Sequence, residues 1–279
     1  MKPNIFVPFF LFPVFAFSQA SQDLYLDEDG IKIEKYNPGK SYDDNYSLNN
    51  SIYTIGRKLT YSYYYENKKG DKFLIKKGKE IPQPQGYNIY DWDFVELSKK
   101  DPQTVQFITL TTTSGDPFHG AVPDYNQTAI EYQYVTNNGE LWNSETTGAI
   151  ENPMNVWIHP PRNLFFEILE LNPFPYIKSP YTVGTKWDWK LQIGENWGDS
   201  RWLKWTGEIE NHYQYEIIGQ KMIPTKLGDL DCYLVQGKAK SRIGETQLLS
   251  YFSPEFGFVK LEYKNIDGTK TVLELEKAE

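Results

Sequence analysis

The sequence predicts a mainly β protein of antiparallel, curved sheets, half-barrel or sandwich-like, with one short central helix. Three observations predict it. Apolar and aromatic residues alternate with polar ones at a period of two in segment after segment, the pattern of strands with one face in a core and one in water. Turn signals such as Asn138-Gly139 and Asp267-Gly268 recur between those segments. Rings make up 16% of the chain, with 21 Tyr and 8 Trp, and large rings suit pleated, half-buried surfaces.

Residues 1–20 read as a secretory signal peptide. Lys2 supplies a positive start, residues 5–17 are apolar apart from Pro8 and Pro13, and the small residues Ala16, Ser18 and Ala20 offer an exit for cleavage. The apolar run is too short for a membrane span, which needs about 20 residues. Residues 21–58 form a polar N-terminal arm, where Ile31-Lys32-Ile33 marks one short strand. Asp27-Glu28-Asp29-Gly30 begins like a calcium loop, but the bidentate Glu such a loop needs does not follow, so a turn is expected.

Residues 59–152 form an N-terminal β half. Leu59, Tyr61, Tyr63 and Tyr65 share one parity, and Ile130, Tyr132 and Tyr134 alternate with Glu131 and Gln133. Asp91 and Asp93 are expected on a solvated strand face with Trp92 turned inward. Residues 153–180 break the pattern with six prolines, which no central strand tolerates. Between them, Asn163 is placed to cap a short helix over 164–171. That helix is apolar nearly all round, with Glu167 and Glu170 marking a polar side, so it is expected to be buried on more than one side as a plug or a joint.

Residues 181–279 form a C-terminal β half. Trp187, Trp189, Leu191 and Ile193 share a parity, as do Tyr213, Tyr215 and Ile217, and Val259, Leu261 and Tyr263. Asp267-Gly268 predicts a tight hairpin turn that matches strand twist. The order Val183-Gly184-Thr185-Lys186-Trp187, then Ile223-Pro224-Thr225-Lys226-Leu227-Gly228-Asp229, then Ser253-Pro254-Glu255-Phe256-Gly257 resembles uncharacterised exported domains of Gram-negative bacteria. These belong to the broad half-barrel class that includes the lipoprotein carriers LolA and LolB. The resemblance implies a curved antiparallel sheet closed by a helix or loop, and a habit of binding apolar ligands. It carries no catalytic residues, and it covers the C-terminal half only.

Composition narrows the function. A net charge of −8 argues against nucleic acid or anionic lipid as the main partner. Cys232 is the only cysteine, which rules out an intramolecular disulfide and fits a periplasmic or secreted bacterial protein. It lies in an apparent strand, so a buried small hydrophobe is expected rather than a nucleophile. The only histidines are His119, His159 and His212; no zinc motif, nucleophile elbow or phosphate loop is present, and no cofactor is expected.

The candidate site is the string Val156-Trp157-Ile158-His159-Pro160-Pro161-Arg162. Two prolines stiffen the backbone between an imidazole and a guanidinium, and a flat ring stands two residues away. Such a display suits an anion or carboxylate. The plainer reading is that His159 caps a loop and that Arg162 pairs with Glu167 or Glu170. Trp187 and Trp189 share a face and line either a core or a groove for a lipid or sugar. The expected function is an exported protein binding an apolar or amphipathic ligand, a lipid or other apolar small molecule, through Trp157, His159, Arg162, Trp187 and Trp189. The alternatives are a secreted glycan-active hydrolase or lyase using His159, Arg162 and nearby carboxylates, and a polysaccharide-binding or surface interaction module.

Overall fold

A computed structural model describes residues 24–86 and 88–279, and the leader expected at 1–20 lies outside them. A two-stranded hairpin, β1 (Tyr25–Glu28) and β2 (Ile31–Glu34), and a one-turn helix α1 (Tyr42–Tyr46) precede the main sheet. The polar arm therefore holds a strand pair where one short strand is expected. Asp29 and Gly30 make the turn at positive φ, and Gly30 N–H donates to Asp27 Oδ1 at 2.8 Å.

The main sheet has fourteen strands, all paired antiparallel. They are β3 (Lys58–Glu66), β4 (Lys72–Pro82), β5 (Asn88–Glu96), β6 (Val105–Thr112), β7 (Thr128–Thr136), β8 (Leu141–Asn152) and β9 (Asn155–Ile158), then β10 (Tyr176–Lys178), β11 (Lys186–Ile193), β12 (Ile209–Thr225), β13 (Gly228–Ser241), β14 (Gly244–Ser253), β15 (Gly257–Lys264) and β16 (Lys270–Ala278). Twelve of them form one ladder, β10-β9-β8-β7-β6-β3-β16-β15-β14-β13-β12-β11, that curls into a nearly closed barrel. β3 is where the ladder turns from early strands to late ones. One edge pairs with β16, and the other pairs with β6 over residues 58–62 and then with β4 over 65–66.

The period-two reading of each strand describes its faces. Tyr61, Tyr63, Tyr132, Tyr134, Trp187, Trp189, Tyr213, Tyr215 and Tyr263 are all buried. Rings paired across strands stack: Trp187 on Tyr215 at 5.4 Å and Trp189 on Tyr213 at 4.7 Å. Cys232 is wholly buried, and burial pushes its thiol up to about 11. Asp91 and Asp93 are exposed on either side of buried Trp92.

A helix does cross the interior at Leu164–Leu171, but it is wound as a 3₁₀ helix. Asn163 sits at its start without capping it; the side chain donates instead to Asn143 Oδ1 at 3.2 Å. The helix plugs the barrel, with Phe166 against Tyr63 at 5.1 Å and Phe165 against Tyr65 at 5.0 Å. Wall side chains fasten its last carbonyl and the segment that follows: Asn211 Nδ2 and Thr246 Oγ1 both donate to Leu171 O, and Tyr215 OH donates to Phe174 O. These bonds answer the need of buried peptide groups for partners. The β4–β5 hairpin closes the end nearest Phe165, where Trp92 and Phe94 meet its ring edge-on.

One turn differs from its expected form. The Asp267-Gly268 hairpin is a five-residue loop in which Asn265 N–H donates to Thr269 O, and Gly268 alone takes positive φ. Asp267 spends its carboxylate on Thr269 instead of entering the left-handed region. Among the described residues no helix is long and apolar enough to cross a membrane.

Candidate functional site

The two ends of the ladder, β10 and β11, do not pair with each other, and aromatic rings span the seam between them. Trp157 on β9 meets Trp189 on β11 edge-on at 5.9 Å, and Tyr176 on β10 meets Trp187 at 5.5 Å. The N-terminal hairpin lies across this seam. Asn155 Oδ1 accepts from Lys32 N–H at 3.0 Å, Asn152 Nδ2 and Asn155 Nδ2 donate to Lys32 O, and Tyr176 OH donates to Gly30 O. On the far side of the seam, Lys190 of β11 stands 3.9 Å from Asp29. The hairpin thus acts as a strap joining edges that share no ladder.

Beneath the strap is a cavity of about 390 Å³. Its apolar wall includes Ile31, Ile33, Trp157, Phe174 and Trp189, and its polar wall includes His159, Arg162 and Glu170. Pro160 and Pro161 come one residue after the end of β9, so the chain leaves the sheet at His159 and returns through the plug. The His159 carbonyl accepts Tyr132 OH at 2.8 Å, which holds the bend against the wall. The imidazole packs edge-on against Phe174 at 4.6 Å.

His159 Nδ1 lies 2.8 Å from Pro160 O, an acceptor, so Nδ1 carries the hydrogen. Nε2 is 3.2 Å from Glu170 Oε1. Burial, with the positive charge of Arg162, holds His159 down at about 3, so the ring is neutral and Nε2 is an acceptor. Burial pushes Glu170 up to about 8, so the carboxyl keeps its proton at neutral pH and can donate it to Nε2. The pair is therefore a neutral acid facing a neutral base.

Arg162 is half-buried, and its guanidinium lies 5.9 Å from the Trp197 ring. It forms no ion pair among the described residues, so the expected pairing with Glu167 or Glu170 is not made; His159 faces Glu170 in its place. Arg162 N–H donates to Glu145 Oε1 at 2.9 Å, and that carboxyl, which also accepts Tyr134 OH, is raised above its ordinary range by burial.

Of the five residues singled out from sequence, the structure gathers Trp157, His159, Arg162 and Trp189 around one cavity. Trp187 is not among them: it is buried between Tyr176 and Tyr215. Sequence reasoning assigned Glu170 to a polar side, yet it is 3% exposed. It also passed over Phe174, Glu145 and the apolar pair Ile31 and Ile33. Alternation does mark Ile31 and Ile33 as facing one way, but nothing local says what they face. Among the described residues no three His, Cys, Asp or Glu side chains converge as metal ligands do.

No described protein family matches the chain. No curated protein matches it either. Among solved structures, the chain is similar to a Bacteroides fragilis protein described as exported with a YmcC-like fold, at 12% identity and a TM-score of 0.45, over 84% of this chain and 98% of that one. It is similar to a Parabacteroides distasonis protein described as a lipoprotein, at 14% identity and a TM-score of 0.43, over 82% and 97%. A third likeness is to the hypothetical lipoprotein YmcC of Escherichia coli, at 6% identity and a TM-score of 0.32, over 80% and 84%.

Proposed function

We propose that the protein holds an apolar or amphipathic small molecule, in the periplasm or beyond it, without transforming it. The observation that carries this reading is the cavity at the seam, where Trp157, Phe174 and Trp189 present an aromatic wall beside a few convergent polar groups. Its volume, about 390 Å³, lies within the range of small-molecule sites. One buried atom on its lining residues, the donor Trp157 Nε1, has no hydrogen-bond partner among the described residues. Buried polar atoms ordinarily do have partners, so a ligand that supplied one would bind with that advantage. The leader-like residues 1–20 and the single cysteine support an exported location. The half-barrel carriers that residues 181–279 resemble agree with the ligand class.

Native mass spectrometry of protein purified from its own host tests the reading. A bound mass that disappears on denaturation in organic solvent is expected, and repeated spectra of bare protein would overturn it. The glycan hydrolase or lyase keeps one observation in its favour, the meeting of His159, Arg162 and Glu170 in one cavity. Turnover of a uronate glycan that His159→Ala and Arg162→Ala both abolish would favour it.

A further inference from the structure

We infer that the bound molecule carries a carboxylate, gripped by the Arg162 guanidinium while its apolar body lies against Trp157, Phe174 and Trp189. This deepens the binding reading above and rests on it. Two donors of the lining beneath the strap, Arg162 and Trp157, stand open to a ligand. Among the described residues the Arg162 guanidinium forms no ion pair, Glu170 facing His159 instead, and Trp157 Nε1 is a buried donor without a partner. His159 Nε2, the natural acceptor, faces Glu170. A ligand that complements this wall brings oxygen acceptors and negative charge.

The other charged groups of the lining are spoken for or stand at the rim. Lys190 has Asp29 at 3.9 Å and Glu210 at 3.6 Å. Glu28 and Asp29 are exposed on the strap. Glu170 is displaced by burial toward the protonated form, which spares an incoming anion its repulsion. A single unpaired guanidinium matches one planar, singly charged group. A doubly charged phosphate monoester would need a second cation, and Lys190 is already paired.

The test is displacement of a fluorescent apolar probe from the full chain at pH 7 by dodecanoate, 1-dodecanol and dodecyl phosphate, with wild type, Arg162→Met and Arg162→Lys. Dodecanoate should bind wild type about tenfold tighter than the alcohol, the scale of one charge-assisted contact. Arg162→Met should weaken dodecanoate about tenfold and bring the acid-to-alcohol ratio toward one, while Arg162→Lys restores part of the preference. Alcohol binding, read in the same samples, shows that each variant is folded. Equal affinity of wild type for acid and alcohol would overturn the carboxylate and leave the cavity reading standing. Tighter binding of the phosphate would overturn it in favour of a dianion. Failure of all three to bind would sink the binding function itself.

Discussion

Replacing Glu170 by Gln should make the protein more stable at neutral pH, by an amount that grows as the pH rises. Glu170 is 3% exposed and is pushed by burial from 4.5 to about 8, while His159 beside it is held down from 6.5 to about 3. A carboxyl whose folded pKa is raised contributes fully below its unfolded pKa and loses that contribution as pH climbs through the folded one. A histidine buried neutral has the opposite slope, destabilising the fold as pH falls below its unfolded pKa. Between pH 4.5 and 6.5 the folded state holds Glu170's proton, the unfolded state holds His159's, and the two slopes cancel. From 6.5 to about 8 only Glu170 acts, and wild type should lose about 2 kcal/mol, at about 1.4 kcal/mol per pH unit. Gln keeps a donor for His159 Nε2 and carries no proton to lose. Urea unfolding followed by tryptophan fluorescence at pH 5, 6, 7 and 8 reads both proteins. A gap between variant and wild type that does not change with pH would refute the reasoning.

Three further substitutions test how the cavity is framed. Glu151 accepts the N–H groups of Ser51, Ile52 and Tyr53 at 2.7–3.0 Å, so Glu151→Ala strands the two buried donors, Ile52 and Tyr53, and should cost about 3 kcal/mol in urea unfolding. Gly30 turns the strap at φ +112 with its Cβ position 2.4 Å from Asp188 O, so Gly30→Ala should lift the strap, and the amides of 25–34 should exchange faster than those of the barrel. Gly237→Ala would set a methyl 2.8 Å from Pro173 Cβ and 3.0 Å from the Tyr215 ring, overpacking the plug by about 1–3 kcal/mol in urea unfolding.

The strands were legible because a period of two survives in any antiparallel sheet with one dry face, as along Tyr213, Tyr215 and Ile217. The barrel was less so. Alternation reads the same in a half-barrel, a sandwich and a nearly closed barrel, and what makes one ladder of the two halves is the pairing of β3 with β16. His159 and Arg162 were found because prolines beside an imidazole and a guanidinium are a local signal. Glu170 was missed because a carboxylate on a helix is ordinarily solvated, and its partner stands across the plug rather than along it. Trp187 and Trp189 carry identical sequence signals, since both sit on the buried face of β11. What separates them is the cavity, which Trp189 lines and Trp187 does not, beneath a strap anchored by Asn152 and Asn155 more than a hundred residues away in the chain.

Photolabelling by a diazirine-bearing dodecanoate, mapped by peptide mass spectrometry, tests the cavity most directly. Label concentrated on peptides holding Trp157, Phe174 and Trp189, and competed away by unlabelled dodecanoate, is the predicted result. Label scattered over the outer faces of the strands, or unaffected by competitor, would contradict a ligand seated under the strap.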